Sequence, residues 1–307
     1  MTLDQTPRPT RTLCLGEALV DLICEQPAQS VAQAPAFVPH PGGAVANVAV
    51  GAARAGARVA LGGGAGDDAW GHWLRDRLGR EGVDLSLFEL IEGTRTPLAI
   101  VTLDERAEAT YQIYGESSGI LVSALRDRLE SAVRDSAALF ISSNTLVGAQ
   151  ERELTMRARE VALEHDRHVI FDPNLRLHRW TSRADAQASA NACVPGALLV
   201  RANHAEATLM TGEEDPERAA TALLKGGARM VVLSFGGRGA ILRGELHAEI
   251  PGVQAHVIST IGAGDVLSGT LLARLAQSDF YPSTVAASLR HAVVQAAKAC
   301  ERWGALD

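Results

Sequence analysis

The run Ser259-Thr260-Ile261-Gly262-Ala263-Gly264-Asp265 leads into a helical pattern over residues 266–276. Two glycines flanking an alanine allow a tight turn with exposed amides. The unpaired N–H groups that open the following helix point the same way, and the helix dipole adds partial positive charge. Gly262, Ala263 and Gly264 therefore read as an anion hole made of backbone. Asp265 lies just inside it, where a carboxylate is electrostatically awkward. Removal of a hydroxyl proton during phosphoryl transfer gives that carboxylate a purpose. A plain helix cap is the competing reading, and the run alone does not separate the two.

Other phosphate sites can be excluded residue by residue. The chain has two lysines, Lys225 and Lys298, followed by Gly226-Gly227 and Ala299-Cys300. Neither makes the Gly-Lys-Ser/Thr of a Walker loop, and the scarcity of lysine argues against a protein-kinase site. Positive charge on a nucleotide must then come from arginine, metal or backbone. The run Gly64-Ala65-Gly66-Asp67-Asp68-Ala69 fits a dinucleotide fingerprint. However, Asp67 and Asp68 would aim carboxylates at a pyrophosphate, and the strand before them is not the first of the sheet.

Outward from this run, strand-like and helical patterns alternate. Short apolar runs at 12–16, 58–61, 137–142, 169–172, 198–201 and 230–234 sit between helical stretches, among them 45–55 and 69–81. The alternation implies an α/β fold with a mostly parallel sheet covered by helices on both sides. Two segments, 20–38 and 97–114, break the pattern. They read as a small antiparallel β lid over the carboxyl ends of the main strands, where ligands of open α/β sheets sit. No repeat or linker divides the chain, so residues 1–307 read as one domain.

Of the 307 residues 47% are apolar, enough for a sizeable core, and the net charge is −7. That charge argues against nucleic-acid binding through backbone phosphates and against anionic membrane surfaces. Cys14, Cys24, Cys193 and Cys300 form no paired motif. Residues 1–11 are polar with two prolines, and no run reaches the length of a membrane span. The expectation is a cytoplasmic protein with reduced thiols.

Three further motifs carry a family resemblance. His40-Pro41-Gly42-Gly43-Ala44-Val45-Ala46-Asn47-Val48-Ala49 resembles the N-terminal signature of the phosphofructokinase B, or ribokinase-like, sugar kinases. The segment from Gly63 to Gly71 is similar to that family's next motif, and Asn203-His204-Ala205-Glu206 to its Asn-x-x-Glu motif. The Gly262–Asp265 run resembles its C-terminal signature. Within the family, Gly16-Glu17-Ala18-Leu19-Val20-Asp21 and Phe171-Asp172-Pro173-Asn174-Leu175-Arg176 look most like fructokinases and 2-keto-3-deoxygluconate kinases.

The resemblance implies an ATP-dependent kinase acting on a hydroxyl of a small sugar, fructokinase-like, with Asp265 as base. A 2-keto-3-deoxygluconate kinase, or another sugar or nucleoside kinase, is the alternative within the family. A non-catalytic sugar or nucleotide sensor on the same fold is the alternative outside it, and the intact Asp265 speaks against that. Asp21 and Asn47 would bond sugar hydroxyls, Gly42 and Gly43 would let the backbone approach the sugar, and Asn174 and Arg176 would face sugar or phosphates. Asn203 and Glu206 would hold Mg2+ through water. Ser234, Gly236, Gly237 and Gly239 resemble the nucleotide-binding turn, with an ordinary hairpin as the plain alternative. A homodimer through the lid is also expected.

Three departures from the family pattern are legible. Ser259 and Ile261 replace the usual Asp and Thr, which leaves activation by a monovalent cation such as K+ open. The lid segment Tyr111-Gln112-Ile113-Tyr114-Gly115-Glu116 lacks an arginine that many relatives carry, which weakens the acid-sugar alternative. Val293 stands where some relatives have an asparagine near the adenine, so base recognition would rest on packing.

Overall fold

The computed structural model describes residues 10–105, 107, 109–115 and 120–306. Most of the 1–11 segment, and Glu116 of the quoted lid segment, lie outside the described residues. Nine strands form the main sheet: β1 (Thr12–Leu15), β4 (Val59–Gly66), β5 (Phe88–Ile91), β8 (Ala138–Ser142), β9 (His168–Asp172), β10 (Leu199–Asn203), β11 (Met230–Ser234), β12 (Gly239–Gly244) and β13 (Ala248–Pro251). Their order is β13-β12-β11-β10-β9-β8-β1-β4-β5. Pairings from β11 to β5 are parallel, while β12 and β13 return antiparallel at one edge.

Both faces of this sheet are covered. Cys14 enters one apolar cluster, and its neighbours Leu13 and Leu15 enter another on the opposite face. A strand buried on both sides needs no polar alternation, which is why these segments read as continuous apolar runs. The chain leaves β1 towards β4 on one side and reaches β8 on the other. The resulting change of direction opens a crevice at the carboxyl ends of β1 and β8.

Over those ends lies the small sheet, formed by β2 (Leu19–Ile23), β3 (Val38–Gly42), β6 (Leu98–Leu103) and β7 (Ala109–Tyr114) in the order β3-β2-β6-β7. Its outer pairings are antiparallel, whereas β2 and β6 at its centre run parallel. Its first segment also differs from a continuous extended stretch. The chain leaves the sheet after Ile23, makes a short turn of helix at Val31–Gln33 and re-enters at Val38. Its apolar underside is Ile23, Ala99, Val101 and Leu103, and Ile261 from the glycine-rich loop packs into the same cluster. The threonine next to Ile261 reaches the lid too: Thr260 Oγ1 donates to the Ala107 carbonyl, 3.1 Å away.

Two helices set the site. The helix Ala44–Arg54 crosses the helix Ala263–Gln277 at a contact of small residues. A Cβ at Gly269 would stand 2.8 Å from the Val48 carbonyl oxygen, and one at Gly51 would stand 3.7 Å from the Gly269 Cα. This close approach brings Asn47 on the first helix to Asp265 on the second, 218 residues apart in sequence.

Candidate active site

A cavity of about 1020 Å3 lies between the strand ends and the small sheet. Its floor comes from residues at or just past the strand ends: Glu17 after β1, Asn144 after β8, Asn174 after β9, Asn203 in β10 and Ser234 in β11. Its roof includes Leu19, Asp21, Ala99 and Tyr111 of the small sheet. Every site residue singled out from the sequence lines this cavity except Gly42, which stands directly behind Asp21. A Cβ at Gly42 would come 2.3 Å from Asp21 Oδ2, so the glycine makes room for the carboxylate. Gly43 instead needs its backbone freedom: φ is 97° as the chain turns into the helix Ala44–Arg54.

At the cavity floor, Gly262 caps the helix Ala263–Gln277 in the left-handed conformation, φ 74°. A Cβ there would also meet Ala305 Cβ at 2.1 Å. The Ala263 amide donates to the Thr260 carbonyl at 3.4 Å, whereas the Gly264 and Asp265 amides that follow have no carbonyl one turn back, and Ala263, Gly264 and Asp265 line the cavity. Asp265 does not cap this helix. Its Oδ2 accepts from Asn47 Nδ2 at 2.9 Å and its Oδ1 from Asn174 Nδ2 at 3.2 Å. Asn174 holds this pose in a left-handed conformation, φ 42°, which asparagine tolerates better than most residues.

Burial pushes the Asp265 carboxyl up to about 6 and Asp172 adds to the rise, while the bond from Asn47 and the charges of Arg176 and Arg201 oppose it. Asp21 is raised to about 7, first by burial and then by the charge of Asp265, against Arg176. These carboxylates therefore sense each other across the cavity. Arg176 lies with its Cζ 5.8 Å from the Tyr111 ring centroid, bridging floor and roof.

Asn203 and Glu206 meet at the start of the helix His204–Thr211. Asn203 is the N-cap, and the two form a reciprocal capping box. Glu206 Oε2 accepts from the Asn203 amide at 2.8 Å, and Oε1 accepts from the Leu175 amide at 2.9 Å. Burial and the neighbouring Asp172 raise the Glu206 carboxyl. Among the described residues no group of three acidic, histidine or cysteine side chains could hold a metal. With each carboxylate oxygen already holding an amide, the site suits a hydrated cation met through its water shell, the habit of Mg2+ beside phosphates.

The end of the cavity beside the β11–β12 turn is apolar. The turn between β11 and β12 is a hairpin with Gly236 at φ 58° and Gly239 at φ 100°. Beside it, Val253, Val293, Ala296 and Ala297 line the cavity. Val293 is buried there without a polar group to offer a base.

The cavity holds groups that sequence reasoning did not assign. Glu17 Oε1 accepts from the Ala44 amide and from Asn144 Nδ2, and Arg179 Nη1 donates to Asn144 Oδ1. Tyr111 and Arg201 line it too. Arg201 left a readable signal, a charge inside the apolar run Leu-Leu-Val-Arg-Ala at 198–202. Nothing in the sequence marked Asn144 or Arg179.

An α/β sheet with a small sheet over its strand ends, an anion loop at a helix start and a buried carboxylate inside that loop define a small-molecule phosphotransferase. The profile of the pfkB family carbohydrate kinases matches residues 9–307, and the chain belongs to that family. It is a carbohydrate kinase. It is 30% identical over 262 residues to fructokinase-2 of Solanum habrochaites, covering 85% of this chain and 80% of that one. It is 32% identical over 281 residues to the probable fructokinase-7 of Arabidopsis thaliana, covering 90% and 82%. The fructokinase of Vibrio cholerae O395, solved with fructose, ADP and calcium, superposes with a TM-score of 0.83 at 28% identity, over 96% of this chain and 94% of that one. The ribokinase-like fold and the likeness to fructokinases expected from the motifs are thus found.

Proposed function

We propose that this chain transfers the γ-phosphoryl group of ATP to a hydroxyl of fructose, with Asp265 as the general base. The observation that carries the reading is the Asp265 carboxylate, held by Asn47 and Asn174 inside an anion loop that opens onto the cavity. Relatives solved with fructose and ADP support the choice of substrates.

Sugar sits between Asp21, Asn47 and the roof, and the nucleotide lies along the Ser234–Gly239 turn towards the Gly262–Asp265 loop. Asp265 takes the proton as the sugar oxygen attacks the γ-phosphorus. The first-turn amides meet the charge on the transferring group. Asn203 and Glu206 would hold Mg2+ through water, and the ion would supply charge neutralisation on the phosphates. Closure of the small sheet excludes water and suppresses ATP hydrolysis. The exposed side chains Val38, Ile113 and Tyr114 on that sheet support pairing of two copies through the lid. The compartment is the cytoplasm.

A second reading, an acidic sugar such as 2-keto-3-deoxygluconate, draws on Arg176, whose guanidinium lies beside Tyr111 at the roof. ADP release measured over a panel of neutral and acidic sugars, with and without K+, separates these readings. Fructose should give the highest kcat/KM. A preference for the acidic sugar would transfer the proposal to the second reading, and ADP release that no sugar stimulates would end both.

A further inference from the structure

Arg201 is a charged residue inside a parallel strand whose neighbours Leu199, Val200 and Ala202 are buried and apolar, and it is itself 6% exposed. A guanidinium is not left there without a reason, because burying a charge is expensive unless it is paired. Its Nη1 donates to Asp172 Oδ2 at 3.2 Å, and its Nη2 donates to Ser234 Oγ at 2.8 Å. Asp172 Oδ2 also accepts from Ser268 Oγ at 2.6 Å. Ser268 follows Asp265 by three residues on the helix Ala263–Gln277. One buried group thus ties the ends of β9, β10 and β11 to the first turns of the catalytic helix.

The anion loop is fitted to this group. A Cβ at Gly264 would stand 2.8 Å from Arg201 Nη1 and 3.1 Å from Nη2. Gly264 is not at positive φ, unlike Gly262. Its lack of a side chain serves the approach of the guanidinium, which occupies the space a side chain would take.

We propose that Arg201 is a positioning residue for phosphoryl transfer: a fixed, buried positive charge beneath the anion loop that seats the loop on the strand ends and favours the anionic form of Asp265. The proposal rests on the kinase reading above. The groups around Asp265 are Asn47 from the helix Ala44–Arg54, Asp172, Asn174 and Arg176 from the end of β9 and beyond, Arg201 from β10, and Asp21 and Tyr111 from the small sheet. Asp172 and Asp21 disfavour its negative charge, and the two arginines favour it. Arg176 faces the roof, where its position depends on the lid. Arg201 is held by two hydrogen bonds below the loop and supplies its charge whether the lid is open or shut.

Three variants separate charge from scaffolding. Arg201→Gln keeps an amide donor and drops the charge, Arg201→Met drops both, and Arg201→Lys keeps the charge but loses the planar fork. The carboxyl of Asp265 is titrated by 13C NMR in substrate-free protein, its resonance assigned by comparison with Asp265→Asn. The midpoint should rise by about one unit in the Gln and Met variants and stay near wild type in the Lys variant. The acid limb of kcat/KM for the sugar should move with it. A midpoint unmoved in whichever neutral variant folds overturns the proposal, even if activity falls. The titration needs no turnover, so a wild-type protein that phosphorylates no sugar would refute the kinase reading and leave this measurement intact.

Discussion

Replacing Asp265 by Asn should abolish most activity and yet stabilise the protein. The carboxyl rises from 3.8 to about 6 on folding, chiefly through burial. A carboxylate raised in this way lends stability only while protonated. That contribution is complete below the unfolded value and is lost as pH rises through about 6. At pH 7 the difference between 6 and 3.8, at 1.36 kcal/mol per unit, amounts to about 3 kcal/mol against folding. An amide escapes this cost. It does meet a hydrogen-bond conflict, since both carboxylate oxygens accept from amide NH2 groups. Asn47 can relieve it, because its Oδ1 is buried without a partner and a half-turn of the amide presents that oxygen to the new NH2. With about 1 kcal/mol left for imperfect bonding, the variant should gain about 2 kcal/mol at pH 7. The gain should shrink as pH falls, reach zero at about pH 4.5 and turn into a loss of about 1 kcal/mol at lower pH, where Asp265 is protonated in both states. The kcat should fall at least about 10²-fold, the scale of lost general-base catalysis. Urea denaturation at several pH values and a coupled ADP-release assay read the two effects. A kcat within about threefold of wild type, or a variant less stable than wild type at pH 7, would refute the reasoning.

The remaining predictions concern the groups around that carboxylate. Because Asp265 and Asp21 titrate near 6 and 7, kcat/KM for the sugar should climb between about pH 6 and 7 and level off above, as both become anionic. A profile flat across that interval would count against the pair. Glu206→Gln leaves one oxygen to serve the amides of Asn203 and Leu175, so it should cost about 1 kcal/mol of stability and raise the Mg2+ concentration needed for half-maximal rate. An unchanged Mg2+ titration would remove Glu206 from the cation's surroundings.

Much of the fold was legible because its signals are local. Met230–Ser234 is a strand with the bounds its apolar run gave, and the helix predicted over 45–55 forms at Ala44–Arg54. The small sheet was legible as two extended segments, but the parallel pairing of β2 with β6 was not. Its partners are 78 residues apart, and no turn between them announces the register. At the site, the Gly262–Asp265 loop and its carboxylate were found from backbone chemistry alone. The capping box that joins Asn203 to Glu206 was not read from the sequence, although a spacing of three residues fits it. Asn144 and Arg179 were missed, since each is an ordinary polar residue until the fold brings Asn144 to Glu17 and Arg179 to Asn144.

By itself the sequence determined that amides and a carboxylate meet at the Gly262–Asp265 turn, since turn and helix start are set by neighbours in the chain. It also determined that phosphate could not be met by lysine. Only the tertiary structure decided what state that carboxylate is in. Asn47, Asn174, Asp172, Arg176 and Arg201 reach it from three other parts of the chain, and burial among them raises it. The reason for Gly264 was also a tertiary matter: a glycine that the turn alone would explain proves to be the space into which Arg201 fits. Charge interactions and steric room depend on distances through space, and those exist only once the strands and helices have packed.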